Sequence, residues 1–366
     1  MNKIVMILTN RYDPDVRVYK EAKYLVENGF EVEILCWDRE SHYPHDENVF
    51  EDGIKITRFY PNAKYGSGLK QIFGFLKFIK EVKHYLKNKD INYIHCHDLD
   101  GAIVGNIVKK GRPELVFDMH EYYEVQGSKQ KIRKIVRIVV NLIQTRFDHI
   151  IYVNPEQTKN MKKKNQEKLV YLPNYPEVEN YTSFLKESTS TLKISYIGAV
   201  RQFNELKNLI LASKGIPNVE VAIHGEGVAY SRLNELSKKY KNVKITGVFK
   251  HHQSGQLFSE CDVLYAVYPT HSLQNRIAYP VKFFEAIASK TPLIVSKGTI
   301  LEEELKKNDI GFAVDGENIE EIEELIKYLV LNKDSLENKT ANIEKIQEKY
   351  QWSSVVKNLD YIYSEK

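Results

Sequence analysis

Short apolar runs alternate with amphipathic stretches along almost the whole chain. In the first half the runs at 4–8, 32–36, 54–58, 93–96, 115–117, 149–153 and 169–172 are brief and largely apolar, as strands buried on both faces should be. Helical periodicity fills most of the intervals, at 14–28, 67–88, 99–109, 128–146 and 155–163. Asp13-Pro14 predicts an N-cap and a first-turn proline for the first helix, and Asn28-Gly29 predicts its end. Residues 173–191, PNYPEVENYTSFLKESTST, lack periodicity and carry prolines and serines, so a linker is expected there. The alternation then resumes, with strands expected at 194–197, 219–223, 243–245, 263–267, 293–295 and 312–314. Helices between and after them are expected at 203–214, 228–239, 253–260, 280–289, 300–307 and 318–331. Repeated βα units of this kind predict an α/β protein with two Rossmann-like, doubly wound parallel sheets. Ligands then bind at the carboxyl ends of the strands, and the two domains face a cleft. The expected division is 1–175, a linker at 176–192, a second domain at 193–345 and a C-terminal segment at 346–366.

The helix at 280–289 is chemically unusual. In YPVKFFEAIASKTPLIVS, Pro280 suits a first helical position, where its missing N–H leaves no bond unmade. Val281, Phe284, Ile287 and Ala288 fall on one stripe, with Lys282 and Glu285 on the other face. A solvated helix pair contributing a few tenths of a kcal/mol is the plain reading of Lys282 and Glu285.

Composition narrows the class. A chain of 366 residues, 42% hydrophobic and 28% charged, suits two globular domains. No apolar run approaches the roughly 18 residues of a spanning helix, and the opening MNKIVMILTN reads as a first strand. Cys36, Cys96 and Cys261 have neither disulfide nor zinc spacing, so a cytoplasmic location is expected. The net charge of +4 is uneven: residues 1–175 hold 29 Lys+Arg against 23 Asp+Glu, a net of +6, leaving −2 for the rest. Six lysines lie in 67–89 and six basic residues in 128–147, both on amphipathic helices. In the first, Leu69, Ile72, Phe73, Leu76, Ile79, Val82 and Leu86 fall at helical spacing. Either helix is accounted for as a core-facing helix with a solvated basic face. Together they suggest peripheral contact with an anionic membrane surface. Nucleic acid is not expected, because aromatic stacking platforms and recognition motifs are missing.

Several segments, in order, resemble the GT-B fold glycosyltransferases of family 4 (group 1, retaining). They are DPDVRVYKEAKYLVENGFEVEIL (13–35), IHCHDLDGA (94–102), FDMHEYY (117–123), YIGAVRQFNELKNLI (196–210), HGEG (224–227), ITGVF (245–249) and the Tyr279–Ser296 stretch. The resemblance covers nearly the whole chain. It implies an acceptor-binding first domain, a donor-binding second domain, and a C-terminal helix that returns to the first. Glu285 is then the carboxylate on the donor ribose, since its two oxygens can accept from vicinal hydroxyls. Val281 and Lys282 would meet the diphosphate at the helix N-terminus, with Arg201 opposite and Lys207 a weaker match. Gly198, Gly225, Gly227 and Glu226 belong to turns beside the nucleotide, although plain strand-to-helix turns explain the glycines equally well. His120 is placed near the transferred sugar, with Glu121 beside the acceptor. Arg17 and Lys20, one turn apart, either bind an anionic acceptor or form a solvated face. Asp13 and Asp15, like Asp98 and Asp100, match a loose metal-binding pattern but sit at helix starts and read as caps.

One position departs from the family pattern. Ile277 stands where many members carry an earlier glutamate on the donor sugar, and Asn275 or Arg276 would have to substitute. The implied activity is transfer of a sugar from a nucleoside diphosphate donor to an acceptor hydroxyl, which can be lipid-linked, with retention of configuration. Surface polysaccharide or glycolipid synthesis at the inner face of the cell membrane is the implied setting. No cofactor and no essential metal is expected. The rival readings are a sugar-nucleotide epimerase of the same fold and a non-catalytic nucleotide-binding partner subunit.

Overall fold

The computed structural model describes residues 2–13, 15–45, 49–63, 69–123, 130–159, 161–184 and 189–364. Contacts divide the chain into two units, Met1–Pro173 with Val355–Lys366, and Asn174–Ser354.

In the first unit the apolar runs become β1 (Lys3–Leu8), β2 (Glu31–Trp37), β3 (Val49–Glu51), β4 (Ile54–Phe59), β5 (Tyr93–His97), β6 (Glu114–Met119), β7 (His149–Tyr152) and β8 (Leu169–Tyr171). They form one sheet in the order β3-β4-β2-β1-β5-β6-β7-β8. Every neighbouring pair is parallel except β3 with β4. The order reverses between β1 and β5, so the carboxyl ends there offer a ligand crevice. β3 was not expected. It is short and poorly buried, and it reaches β4 through Asp52-Gly53, both at positive φ, as a two-residue hairpin turn requires.

Several helix details differ from expectation. The first helix is Val16–Glu27, and its cap is Asp15, whose carboxylate accepts from Val18 N. Asp13 instead pairs with Arg11, 2.6 Å away, and Pro14 lies outside the described residues. Stretch 155–163 gives a single 3-10 turn, Pro155–Thr158, closed by a capping box of Asn154 and Gln157, followed by the short helix Lys163–Gln166. On the helix Leu69–Tyr85, Phe78, Ile79 and Val82 are buried, whereas Ile72, Phe73 and Leu76 are exposed. The apolar face is wider than the core it covers.

The second unit holds β9 (Leu192–Ile197), β10 (Val219–His224), β11 (Val243–Gly247), β12 (Val263–Ala266), β13 (Leu293–Ser296) and β14 (Gly311–Val314). Their order is β11-β10-β9-β12-β13-β14, all parallel, with the reversal between β9 and β12. Much of the expected linker is part of this unit. Helix Glu179–Thr182 packs the buried Tyr181 edge-on against Phe258, ring centroids 5.6 Å apart. Sequence periodicity missed it because a one-turn helix has too few residues to show a period. Helices Leu273–Ile277 and Asp334–Ile346 were also unanticipated.

The chain's end joins the first unit without forming one continuous helix. A 3-10 segment, Val356–Tyr361, buries Leu359, and Ile362 and Tyr363 follow it into the core. Asn358 donates to the Tyr171 carbonyl at 2.8 Å, and Tyr24 donates to Asp360 at 2.7 Å.

Candidate functional site

In the second unit two loops leave the sheet side by side. Gly198 N donates to the His224 carbonyl at 2.9 Å, and Val200 N to that of Glu226 at 2.8 Å. The contact is close because both loops turn on glycine. Gly225 has φ +127°, and a Cβ there would sit 2.1 Å from the Gly198 oxygen. Only glycine fits. Glu226 itself is exposed, so its backbone rather than its carboxylate ties the loops together.

Helix Val281–Ala288 points its N-terminus, which no side chain caps, into the same region. Pro280 is its N-cap rather than its first residue. The buried face is also wider than expected, taking in Phe283 and Ala286 with Phe284, Ile287 and Ala288, while Val281 is exposed. Phe283 and Phe284 pack among Tyr175, Tyr279 and Tyr350, which fixes the helix against the unit.

That anchoring places Lys282. Its ammonium lies 3.6 Å from the centre of the Tyr196 ring, and a Cβ on Gly198 would meet Nζ at 3.2 Å. Burial pushes the amine down to about 7, against the opposing pull of Glu285 and with Arg201 adding to the decrease. Arg201 is exposed and makes no hydrogen bond or ion pair among the described residues. Lys207 is half-buried on the helix Phe203–Ala212.

Glu285 is not the partner of Lys282. Among the described residues the two form no ion pair, and Glu285 Oε1 instead accepts from the Tyr181 hydroxyl at 2.7 Å. The reading as a solvated helix pair therefore fails. Tyr181 orients one carboxylate oxygen, and among the described residues no hydrogen bond to the other is found. Asn275 Nδ2 donates to the Pro269 carbonyl at 2.9 Å and so braces a loop. Ile277 is half-buried at the end of Leu273–Ile277. Thus Gly225 meets Gly198, and the Lys282 ammonium lies against Gly198 with Arg201 and Glu285 within electrostatic reach. Tyr196, Tyr268 and Tyr181, which the sequence reading missed, adjoin Lys282 and Glu285.

The first unit gathers a second group at the ends of β5 and β6. Parallel register sets His97 beside Asp118. Period two puts His95 and His97 on one face of β5. His120, just past β6, holds Asp118 Oδ2 at 2.7 Å through Nε2, and its Nδ1 lies 3.6 Å from Asp98 Oδ2. Burial alone would lower this imidazole, but the charge and hydrogen bond of Asp118 outweigh it and raise His120 to about 9. Asp98 caps nothing. It sits at φ +61° and accepts from Tyr123 OH at 2.7 Å, while no side chain caps that helix.

Arg17 and Lys20 are not a ligand-facing pair. They are 4% and 5% exposed. The Arg17 guanidinium gives two bonds of 2.9 Å to Asp118 and a third to the Leu172 carbonyl. Being buried, such a charge must be paired, and Asp118 supplies the pair. Glu121 is exposed, and its carbonyl accepts from Gln157 Nε2 at 3.0 Å.

Comparison with known proteins gives the family. The model for Glycosyltransferase Family 4 matches residues 15–175, and that for Glycosyl transferases group 1 matches 177–347. No curated protein matches in sequence. Among solved structures, a sucrose-phosphate synthase from Thermosynechococcus elongatus superposes with a TM-score of 0.79 at 16% identity, covering 99% of this chain and 98% of its own. HepE from Anabaena, solved with UDP and glucose, gives 0.70 at 15% identity with full coverage of both chains. The lipopolysaccharide outer core galactosyltransferase WaaB gives 0.65 at 15% identity, covering 99% of each. With its two parallel-sheet units and these matches along 15–347, the chain belongs to the GT-B glycosyltransferases, Family 4 in its first half and group 1 in its second.

Proposed function

We propose that the chain transfers a sugar from a nucleoside diphosphate donor to an acceptor hydroxyl with retention of configuration. The observation that carries this reading is the Lys282 ammonium held over Gly198 beside an open helix N-terminus, with Arg201 within electrostatic reach. Cations and backbone amides converging there suit a diphosphate. Glu285, oriented by Tyr181, suits the vicinal hydroxyls of the ribose. Similarity to a protein solved with UDP-glucose supports a nucleotide-sugar donor.

As the glycosidic C–O bond breaks, negative charge grows on the leaving phosphate and positive character on the sugar. Lys282, Arg201 and the helix amides stabilise the phosphate charge where it develops, the kind of contribution that usually dominates catalysis. The departing phosphate oxygen takes the acceptor's proton on the same face, so no protein nucleophile is needed. His120, cationic beside Asp118, is assigned to the sugar or acceptor. No essential metal is part of this scheme.

We further assign a peripheral contact with anionic membrane, which fits a lipid-linked acceptor and a role in surface polysaccharide or glycolipid synthesis. Among the described residues no helix is long and apolar enough to cross a membrane. On the helix Gln130–Gln144, however, Ile135, Ile138, Val139 and Leu142 form an exposed apolar stripe beside Lys134 and Arg137.

Incubation with candidate nucleotide sugars, following nucleoside diphosphate release with and without acceptor, tests the reaction. Acceptor-dependent release supports transfer. Release of an altered sugar nucleotide without acceptor would mean epimerisation, and binding without turnover would mean a non-catalytic subunit.

A further inference from the structure

Behind His120 lies a cluster that the transfer scheme does not use. Glu21, His95, His97 and Asp118 are all buried, and one ligand atom from each lies within 4.8 Å of the others. Such spacing could suit a divalent cation, but Arg17 already holds the place of one. Its Nε and Nη2 each donate to Asp118 at 2.9 Å, and Nε lies 3.0 Å from Glu21 Oε1. That single Nε proton is committed to Asp118, so among the described residues neither Glu21 oxygen has a hydrogen-bond donor. His95 offers no better partner. Its Nε2 is 3.5 Å from Glu21 Oε2, Nδ1 meets the Tyr363 hydroxyl at 2.8 Å, and burial keeps the ring neutral. A carboxylate without donors, fully buried next to the charge of Asp118, is stabilised by keeping its proton.

We propose that Arg17 is a positioning residue acting through Asp118 on His120. Its fork fixes the Asp118 carboxylate, Asp118 Oδ2 accepts a hydrogen bond from Nε2–H of His120, and Nδ1–H, on the side of Asp98, is left to donate to an oxygen of the ligand, while Glu21 completes the cluster as an uncharged carboxylic acid. The ligand is any oxygen acceptor, hydroxyl or phosphate, that reaches the sheet end. This assignment rests on His120 belonging to the transfer site.

The charges facing His120 are consistent with it. Asp118 lies on one side. Asp98, itself bonded to Tyr123, lies on the other. His97 Nδ1 approaches both Asp118 Oδ2 and His120 Nε2 at 3.3 Å, and its burial disfavours a charge on that ring. Among the described residues of the group Arg17 is thus the other cation, and its fork spans both oxygens of Asp118. Burial and the Asp118 charge push Glu21 up to about 8, against the pull of Arg17, in keeping with its uncharged role.

The test is nitrogen NMR of histidine-labelled full-length protein, with His120 assigned through His120→Gln. His120 is expected to remain an imidazolium at pH 7.5 and to titrate near 9. In Asp118→Asn its midpoint should fall to the ordinary 6.5 or below. Glu21→Gln imitates the protonated acid, so it should fold and leave His120 an imidazolium at pH 7.5, as in wild type. Arg17→Lys keeps the charge without the fork, and the sharp Nε2–H signal of wild type should broaden by exchange with water. A wild-type midpoint near 6.5, an unfolded Glu21→Gln protein, or stoichiometric divalent metal in the purified protein would each overturn the proposal. Normal transfer by His120→Gln would instead remove His120 from the transfer site and leave the titration result standing, so the two failures are distinguishable.

Discussion

Lys282 shows how much a single side chain depends on its surroundings. Its position in the sequence marks it as a helix-surface lysine, yet the Tyr196 ring and the bare Cα of Gly198 give it a half-buried seat. With its amine near 7, it is mostly charged below neutrality and mostly neutral above. A diphosphate favours the charged form, so binding should take up protons above pH 7 and weaken as pH rises through that range. Calorimetry of nucleoside diphosphate binding at pH 8, in two buffers of different ionisation heat, reads that uptake directly. Tyr181 supports a second expectation. Tyr181→Phe removes one hydrogen bond to Glu285 and should cost about 1 kcal/mol, or roughly fivefold in donor affinity, with little change in turnover. Equilibrium binding with the same nucleotide checks it. Gly198, Lys282 and His120 drew attention in the sequence because they sit at strand ends or a helix start, and Glu285, mid-helix, because of the family resemblance. Tyr181 did not, because nothing local distinguishes it within an aperiodic stretch. Arg17 was misread for the converse reason: its partner Asp118 is 101 residues away, and only the folded sheet brings them together.

Elements were legible wherever a period could repeat. The strands of both sheets stand close to their expected places because each is a short apolar run between helices. Most exceptions are short, although the 13-residue helix Asp334–Ile346 was missed as well. β3 has three residues, too few to show alternation, and its clearest sign is the Asp52-Gly53 pair, a hairpin signal. The turn after β10 makes a sharper claim about backbone. Gly225→Ala must push a Cβ into the Gly198 carbonyl, so a loss of about 1–3 kcal/mol is expected. Thermal unfolding should show that loss, and donor affinity should fall with it, since the same loops carry Gly198. The exposed stripe on Gln130–Gln144 is expected to favour anionic over neutral vesicles, each basic residue near the surface contributing about 1 kcal/mol. Sedimentation at rising salt tests this, and Ile138→Glu should reduce the binding. Equal indifference to both vesicle types at low salt would point to a soluble acceptor.

Across the whole molecule, two units of similar design carry different chemistry. The first ends its strands in histidines and carboxylates around a buried arginine, the second in glycine turns beneath a lysine. Because Tyr181 belongs to the second unit, a fragment of residues 174–354 should bind a nucleoside diphosphate, and one of 190–345 should bind it less tightly. Circular dichroism would confirm that each is folded before titration. The central claim is that the recess around Lys282 and Glu285 holds the donor, and steady-state transfer kinetics of two single variants test it most directly. Glu285→Ala removes contacts present throughout the reaction, so the donor KM should rise first. Lys282→Ala removes charge stabilisation that grows as the phosphate leaves, so kcat should fall, by about 10²-fold on the scale of one lost transition-state donor. Unchanged kinetics in both variants would contradict the account.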